Sequence, residues 1–236
     1  MKYILKGDSP KDFELWKESK KNRREDLLKI KDLTSEKLKI RWDNLKSKKD
    51  IFKLLREALL REQGFLCCYC QQKISLEERT VAIEHLIARI IDGTFLFEYT
   101  NLLASCLGGR KDENEETLVK YCNQGRGHQH LAVSPLQVDC ETHFDYFQIE
   151  DADEWQIKVV GLSENAVQVI ALLNLNTPKL CRLRGAYIRA YLEDLTVEEA
   201  VIIREKLKDS IKNTFNVPLK PFVQIIIRLL EKNYIA

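Results

Sequence analysis

Apolar positions in the first quarter of the chain recur at helical spacing. Leu38, Trp42 and Leu45 follow an i, i+4, i+7 pattern, which places them on one face of an amphipathic helix. After a polar break at residues 47–50, a second helical run contains Ile51, Leu54, Leu55, Ala58 and Leu59. The pattern predicts two or three amphipathic helices over residues 10–62, with a lysine-rich outer face.

Long helical periodicity disappears between residues 63 and 150. This part holds six of the seven cysteines, all four histidines and six of the nine glycines. A unit this small and rich in loops needs a staple such as a bound metal to be stable. We therefore expect three regions: an N-terminal helical region (1–62), a metal-rich centre (63–150) and a C-terminal helical domain (151–236), which together give an α+β fold.

The C-terminal part carries explicit start signals for its elements. The run WQIKVVG (155–161) predicts a short strand. Thr177 followed by Pro178 predicts a helix start, because proline is favoured at the first helical position. Thr196 and Glu199 have the spacing of a capping box at the start of another helix, and Pro221 predicts the start of a last helix. The apolar face expected for the helix that begins at Pro178 consists of Leu180, Leu183, Tyr187 and Tyr191.

Length and composition narrow the class of protein. The chain has 236 residues, of which 44% are hydrophobic and 31% charged, enough to bury a core. No apolar run approaches the roughly 20 residues of a membrane span, and the apolar stretch near the N-terminus is too short for a secretory signal. We therefore expect a cytoplasmic protein without a membrane partner, in which clustered thiols serve metal binding or catalysis rather than disulfides.

The net charge of +2 hides a segregation of charge along the chain. Residues 1–62 carry 19 Lys and Arg against 12 Asp and Glu, and residues 155–236 carry 12 against 8. Residues 139–154 carry seven acids and no Lys or Arg. The basic parts suit a polyanion such as nucleic acid, or they are ordinary solvated helix faces. The acidic stretch would repel nucleic acid or meet a basic surface of a partner.

The stretch GFLCCYCQQKI (64–74) contains a C-x-x-C pair formed by Cys67 and Cys70. Tetrahedral zinc takes four such ligands, usually as two pairs from separate turns. Cys106 and Cys122 are the best second pair, although residues 107–121 separate them. That polar, glycine-bearing segment is predicted to be an inserted surface loop.

The remaining cysteines leave alternatives open. Cys68 would point away from a metal held by its neighbours and is expected to pack. Cys140 and His143 are three residues apart and could replace Cys106 in the zinc site. Cys181 lies in the helical C-terminal part and is expected in the core. A thiol redox function is weakly supported, because no βαβ pattern accompanies the C-x-x-C pair.

Glu84 and His85 are adjacent and could divide the work of hydrolysis. A carboxylate oxygen suits a hard divalent cation such as Mg²⁺, and an imidazole suits deprotonation of water because its ordinary pKa is near neutrality. Taken alone, the pair is better explained as two ordinary surface residues. The motifs on either side of Glu84 and His85 favour the catalytic interpretation.

Read in order, the chain has C-x-x-C, then E-H, then N-L-L-x-x-C, then C-N-x-x-x-R, all within residues 67–126. This order resembles the HNH nucleases, also called ββα-metal or treble-clef nucleases. The resemblance implies a small zinc-stabilised core between the helical flanks, and metal-dependent hydrolysis of phosphodiester bonds.

The resemblance also implies a role for each matching residue. His85 would be the general base, and Asn101 would hold the loop that bears it. Glu84 and Asn123 would ligate a catalytic Mg²⁺ or Mn²⁺, and Arg126 would hold a phosphate through paired donors. The structural zinc would take the four cysteines, Cys67, Cys70, Cys106 and Cys122. The long insertion between the last two cysteines, and an asparagine at the final signature position, depart from the usual pattern.

Three further stretches resemble one branch of this family, the HNH subunit of Septu anti-phage systems, which is also found as a retron effector. They are MKYILKG at the start, CNQGRGHQHLAVSPLQVDCETHF (122–144) and LNLNTPKLCRLR (173–184). This likeness implies an ABC/SMC-like ATPase partner and, in a retron, a reverse transcriptase with its multicopy single-stranded DNA.

The substrate and one rival function stay open at the sequence level. The nucleic acid cleaved would be DNA or a structured RNA such as tRNA. A zinc-stabilised nucleic-acid-binding adaptor without catalytic activity would use the same cysteines and basic flanks. His128 and His130 would either contact phosphate or a second metal, or serve a turn, and a turn is the simpler interpretation.

Overall fold

The computed structural model describes residues 1–76, 80–109, 119–149, 154–215 and 217–235. Its α-helices are α1 (Lys11–Ser19), α2 (Arg24–Leu28), α3 (Ser35–Ser47), α4 (Lys49–Glu62), α5 (Asn123–Arg126), α6 (Glu164–Leu172), α7 (Pro178–Leu192), α8 (Val197–Lys212) and α9 (Val223–Leu230). Its strands are β1 (Val81–His85), β2 (Leu102–Cys106), β3 (Phe144–Gln148) and β4 (Ile157–Gly161). Short 3₁₀ turns lie at Gly93–Phe95, Tyr99–Asn101 and Cys140–His143, and a π-helical turn at Glu231–Ile235.

The N-terminal region is helical, as predicted, but contains four helices rather than two or three. The polar break is confirmed, because α3 ends at Ser47 and α4 begins at Lys49. The buried face of α3 carries the predicted apolar triad, Leu38, Trp42 and Leu45. The prediction for Leu54 is wrong, because its side chain is 38% exposed. Helix α4 packs on α3 and β2, and its buried apolar residues are Leu55, Leu59 and Leu60.

Strands β1 and β2 form an antiparallel hairpin at the centre of the molecule. The register pairs Val81 with Cys106 and His85 with Leu102. One end of the hairpin therefore carries a cysteine and the other carries the histidine. Gln63, directly after α4, completes the edge of β2: its amide nitrogen donates to the Ala104 carbonyl at 2.8 Å and its amide oxygen accepts from the Ala104 N–H at 2.7 Å.

Strands β3 and β4 form a second antiparallel pair, which confirms the strand predicted at 155–161. Helices α6 and α7 pack on β4. Helix α6 is an element that the hydrophobic pattern did not predict. The sequence does contain a capping signal for α6 at Ser163. The Ser163 hydroxyl accepts a hydrogen bond from the Ala166 N–H at 3.3 Å and so caps the helix.

The predicted helix starts at Thr177 and Thr196 are both confirmed. The Thr177 hydroxyl accepts from the Leu180 N–H, and the capping box of α8 makes both of its hydrogen bonds, at 2.9 and 3.2 Å. The predicted face of α7 is shifted, because Leu183 is exposed and the helix instead buries its neighbour Arg184. The Arg184 guanidinium donates to carbonyls of β4 and of the segment before α7.

The last helix begins later than its proline suggested. Pro221 predicts a helix start, but α9 begins at Val223 because Phe222 adopts a left-handed conformation with φ of 57°. In that conformation Phe222 donates its N–H to the Gln71 carbonyl at 3.0 Å. The chain just before α9 therefore crosses over the C-x-x-C segment and covers it.

Buried apolar side chains from all three predicted regions belong to one continuous cluster. The arrangement is α+β, in agreement with the sequence, with the β1–β2 hairpin between the helical flanks. The division at residues 62 and 150 stays a prediction. Among the described helices, none is long and apolar enough to cross a membrane.

Candidate metal centre and active site

Four buried cysteines meet at one end of the β1–β2 hairpin. The sulfur atoms of Cys67, Cys70, Cys106 and Cys122 all lie within 4.8 Å of one another, and the Cys67–Cys122 and Cys70–Cys106 sulfur pairs are each 3.9 Å apart. Zinc bound tetrahedrally at about 2.3 Å would hold its sulfur ligands about 3.8 Å apart. The cluster can therefore hold a structural zinc ion.

Local structure explains how distant cysteines come together. The Cys67 N–H donates to the Gln72 carbonyl at 2.9 Å, which closes the C-x-x-C turn, and the Cys106 N–H donates to the Cys67 sulfur at 3.3 Å. Residues 110–118 of the predicted insertion lie outside the described part of the chain. Its two ends run side by side, since a Cβ on Gly108 would lie 2.0 Å from the Tyr121 carbonyl oxygen.

The alternative zinc ligands are elsewhere. Cys140 is buried beside the N-terminal amine, where burial raises the pKa of its thiol to about 12. His143 lies 3.4 Å from the Ser163 hydroxyl and 3.5 Å from a carboxylate oxygen of Asp139. Neither belongs to the four-sulfur cluster, which Cys106 completes. Cys181 is buried in the core, as predicted.

His85 ends β1 and is held in one orientation. Its Nε2–H donates to the Leu96 carbonyl at 3.0 Å, so the neutral ring keeps the lone pair on Nδ1, because a carbonyl can only accept. The Trp42 ring meets the imidazole edge to face with centroids 4.7 Å apart. Burial, with a smaller contribution from the Arg89 guanidinium, lowers the pKa of His85 to about 3.

Glu84 is buried beside His85, which excludes the interpretation of the two as ordinary surface residues. Its Oε1 accepts a hydrogen bond from the Tyr69 hydroxyl at 2.9 Å and forms a salt bridge with Arg126. Burial raises the pKa of Glu84, and the Arg126 charge opposes that rise. Both contacts use the same oxygen.

Asn101 holds the loop between β1 and β2. Its amide oxygen accepts from the Ile87 N–H at 2.6 Å, and its amide nitrogen donates to the Ile87 and Phe95 carbonyls at 3.1 and 3.2 Å. This side chain therefore joins the residues after His85 to those just before Leu96, whose carbonyl orients the imidazole.

Arg126 lies beneath the end of β1 and is only 1% exposed. It donates to Glu84, to the Tyr69 hydroxyl, and to the carbonyls of His85, Leu86 and Gln129. Because the donors of Arg126 are directed inward, these contacts favour a role in positioning Glu84 and the end of β1 over the phosphate contact that the family resemblance implies.

Asn123 begins α5 directly after Cys122. Its Oδ1 is buried and has no hydrogen-bond partner among the described residues, and a Cβ on Gly108 would lie 3.2 Å from it. Asn123 and Arg126 are three residues apart and so share a face of the short helix. A buried oxygen without a hydrogen-bond partner costs free energy, and a cation bound to that oxygen would remove the cost.

Several residues that build the site lie outside the predicted set. Tyr69 supports Glu84, and Trp42 of α3 packs on His85. Arg89 is half-buried, 5.8 Å from the centroid of the Trp42 ring. Tyr69 stands inside the C-C-Y-C knuckle, which is a usable signal. No sequence pattern connects Trp42 with a histidine 43 positions later.

Comparison with known proteins points to one class. A protein of Vibrio cholerae serotype O1 biovar El Tor, named for the retron Vc95 and for an inferred HNH endonuclease activity, is 32% identical to this chain over 95 residues. The match covers 39% of this chain and 42% of that relative. No protein-family model matches the chain. The likeness supports the HNH nuclease family, and the four-cysteine cluster is consistent with it.

Proposed function

We propose that this protein is a metal-dependent HNH endonuclease whose β1–β2 hairpin, cysteine cluster and α5 form the ββα-metal core. The observation that carries the proposal is the fixed orientation of the His85 imidazole. His85 is a neutral imidazole fixed by the Leu96 carbonyl, beside a buried carboxylate, on a hairpin whose opposite end carries four clustered sulfurs. A binding module has no need for such an oriented base.

His85 would act through Nδ1, which accepts a proton from the attacking water. The lowered pKa keeps the ring neutral but makes it a weak base, so the negative charge of a bound phosphate would have to raise that pKa for the proton transfer. Leu96 holds the other ring nitrogen, so the base is ready in the required tautomer. Asn101 is a positioning residue, because its three hydrogen bonds fix the loop that carries the Leu96 carbonyl. Arg126 positions Glu84 through the salt bridge between them.

Two oxygens would hold the catalytic Mg²⁺ or Mn²⁺. The second carboxylate oxygen of Glu84 and the unpartnered Oδ1 of Asn123 are hard donors of the kind that these cations prefer. A bound cation would supply positive charge against the scissile phosphate in the transition state. Zinc at the four cysteines would be structural, holding Asn123 next to the hairpin.

The biological setting we propose is an anti-phage defence complex in the cytoplasm. The match to a retron-associated relative and the likeness to PtuB, the Septu nuclease subunit, support it. The partner would be an ABC/SMC-like ATPase, with reverse transcriptase and multicopy single-stranded DNA as further components in a retron. The substrate would be DNA or a structured RNA such as tRNA.

Replacement of the base tests this function. We expect His85→Ala to lose about 10²- to 10⁴-fold in cleavage rate while keeping its zinc content and circular dichroism spectrum. Plasmid DNA and total tRNA would be offered side by side with Mg²⁺ or Mn²⁺, with and without a co-expressed ATPase partner. His143→Ala is the matched control, since that histidine bonds Ser163 and Asp139 away from the hairpin.

Cleavage by wild type and by His143→Ala, but not by His85→Ala, would support the nuclease and identify the nucleic acid. Equal cleavage by all three proteins would remove His85 from the mechanism. If no protein cuts either nucleic acid with the partner present, while wild type still binds one of them, the non-catalytic adaptor takes the place of the nuclease.

A further inference from the structure

A cleft of about 240 Å³ lies between α3 and the segment that follows β1. The residues that line it are Ser35, Leu38, Lys39, Arg89, Ile90 and His128. Helix α3 lies outside the stretch that carries the HNH motifs, so no motif assigns a role to this surface.

The charge of the cleft is one-sided. Lys39 and Arg89 contribute two cations, and no carboxylate is among the lining residues. Within the part of the chain that the structure describes, neither Lys39 nor Arg89 forms a salt bridge, whereas Lys46 of the same helix lies 3.3 Å from Asp43. Two cations facing one cleft repel each other unless an anion lies between them.

The cleft is next to the proposed general base. The Cζ atom of Arg89 lies 5.8 Å from the centroid of the Trp42 ring. The centroid of the same ring lies 4.7 Å from the centroid of the His85 imidazole. Trp42 and the cleft residue Leu38 are four positions apart on α3 and so share its inner face. One tryptophan therefore joins the cleft to the imidazole.

The wall of the cleft is built into the fold. A Cβ on Gly93 would lie 2.6 Å from a methyl carbon of Leu38, so the absence of a side chain at Gly93 leaves room for α3 to pack closely on the loop after Arg89. Packing therefore sets how closely the backbone of α3 approaches the segment that carries Arg89, and the exposed Lys39 extends from that helix.

We infer that this cleft binds a backbone phosphate of the nucleic acid, adjacent to the phosphate that is cleaved at His85. The inference rests on the proposed function and names how that site holds its substrate. Its volume is below the roughly 300–1,000 Å³ of pockets for whole organic ligands, which suits a phosphate and its sugar better than a base. The contact would be independent of nucleotide sequence, because phosphate contacts position a strand without reading it.

Equilibrium binding tests the inference without cleavage. In the His85→Ala background, fluorescent duplex DNA and tRNA would be titrated across a range of salt concentrations against Lys39→Gln, Arg89→Gln and Lys46→Gln. For the nucleic acid that is bound, we expect the slope of log affinity against log salt to become shallower by about one for each cleft cation removed. Lys46→Gln should keep the parental slope, and Lys39→Arg should restore it.

The outcomes separate this inference from the proposed activity. Changed slopes in a protein that never cleaves would uphold the cleft and reject the nuclease. Cleavage by wild type with unchanged slopes in both cleft variants would reject the cleft and keep the nuclease. If polyglutamate binds in place of nucleic acid, and Lys39→Gln abolishes that binding, the cleft receives an acidic protein segment and the inference fails.

Discussion

At the scale of single residues, the site depends on buried polar groups that satisfy one another. Arg126 is the centre of this network, because one guanidinium joins Glu84, Tyr69 and three carbonyls around the end of β1. Its charge also opposes the rise that burial imposes on the pKa of Glu84. Removing one partner of such a pair leaves an uncompensated charge in the interior.

We therefore expect Arg126→Gln to lower the free energy of unfolding by about 3–5 kcal/mol, measured by urea denaturation. Arg189→Gln is the control, because Arg189 pairs with Glu193 on the surface, with side chains 54% and 43% exposed. Exposed pairs contribute little to stability, so the control should unfold at the wild-type urea concentration. Similar losses in both variants would show that Arg126 does not organise the site.

At the scale of elements, the C-x-x-C turn is fixed by what crosses it. Gly64 precedes the turn with a φ of +63°, and a Cβ there would lie 2.4 Å from Leu219 Cγ. The Leu219 N–H donates to the Gly64 carbonyl at 3.0 Å, so the chain before α9 is tied to the start of the knuckle. Glycine is needed here for its conformation and also for its lack of volume.

Two glycines with nearly the same φ separate these requirements. Gly127 has a φ of +60° and a ψ of −118°, and no atom of the described residues lies within 4 Å of its Cβ position. We expect Gly127→Ala to cost only backbone strain, about 1–3 kcal/mol, and Gly64→Ala to cost backbone strain plus about 1–3 kcal/mol for overpacking. Thermal and urea unfolding would measure both; equal costs would mean that Leu219 moves aside freely.

At the scale of the whole molecule, the cysteine cluster joins three separate segments: the turn after α4, the end of β2 and the start of α5. A zinc ion there would add its binding free energy to folding, because the four sulfurs are close together only in the folded chain. The hairpin that carries Glu84 and His85 is consequently coupled to the metal.

Zinc content distinguishes the cluster from its alternatives. We expect about one zinc per purified chain, a marked loss of zinc and of thermal stability in Cys106→Ser, and wild-type zinc in Cys140→Ser, with elemental analysis as the measurement. Incubation with a chelator should lower the unfolding temperature of wild type and of Cys140→Ser. A protein that keeps its zinc after Cys106→Ser but loses it after Cys140→Ser would reverse the assignment of the fourth ligand.

The features that the sequence predicted correctly depend on neighbours along the chain. The caps at Thr177 and Thr196, the break between α3 and α4, and the strand at 155–161 each arise from interactions within a few residues. Their physical causes, which are cap hydrogen bonds, helix periodicity and strand alternation, can be read directly from adjacent letters. The four cysteines could also be paired from the sequence, by treating the segment between Cys106 and Cys122 as an insertion.

Tertiary structure alone decided which side chains face one another. It turned Arg126 inward onto Glu84, placed Trp42 against His85, buried Arg184 in place of Leu183, and set Lys39 beside Arg89 across a cleft. Each of these contacts joins different elements, and its geometry depends on how helices and strands pack rather than on local spacing. The linear order of residues specifies which chemical groups are present and where the helices with clear capping signals begin. Long-range packing sets the start of α9 and the orientation, burial and charge environment of the site residues, because these depend on atoms that are distant along the chain.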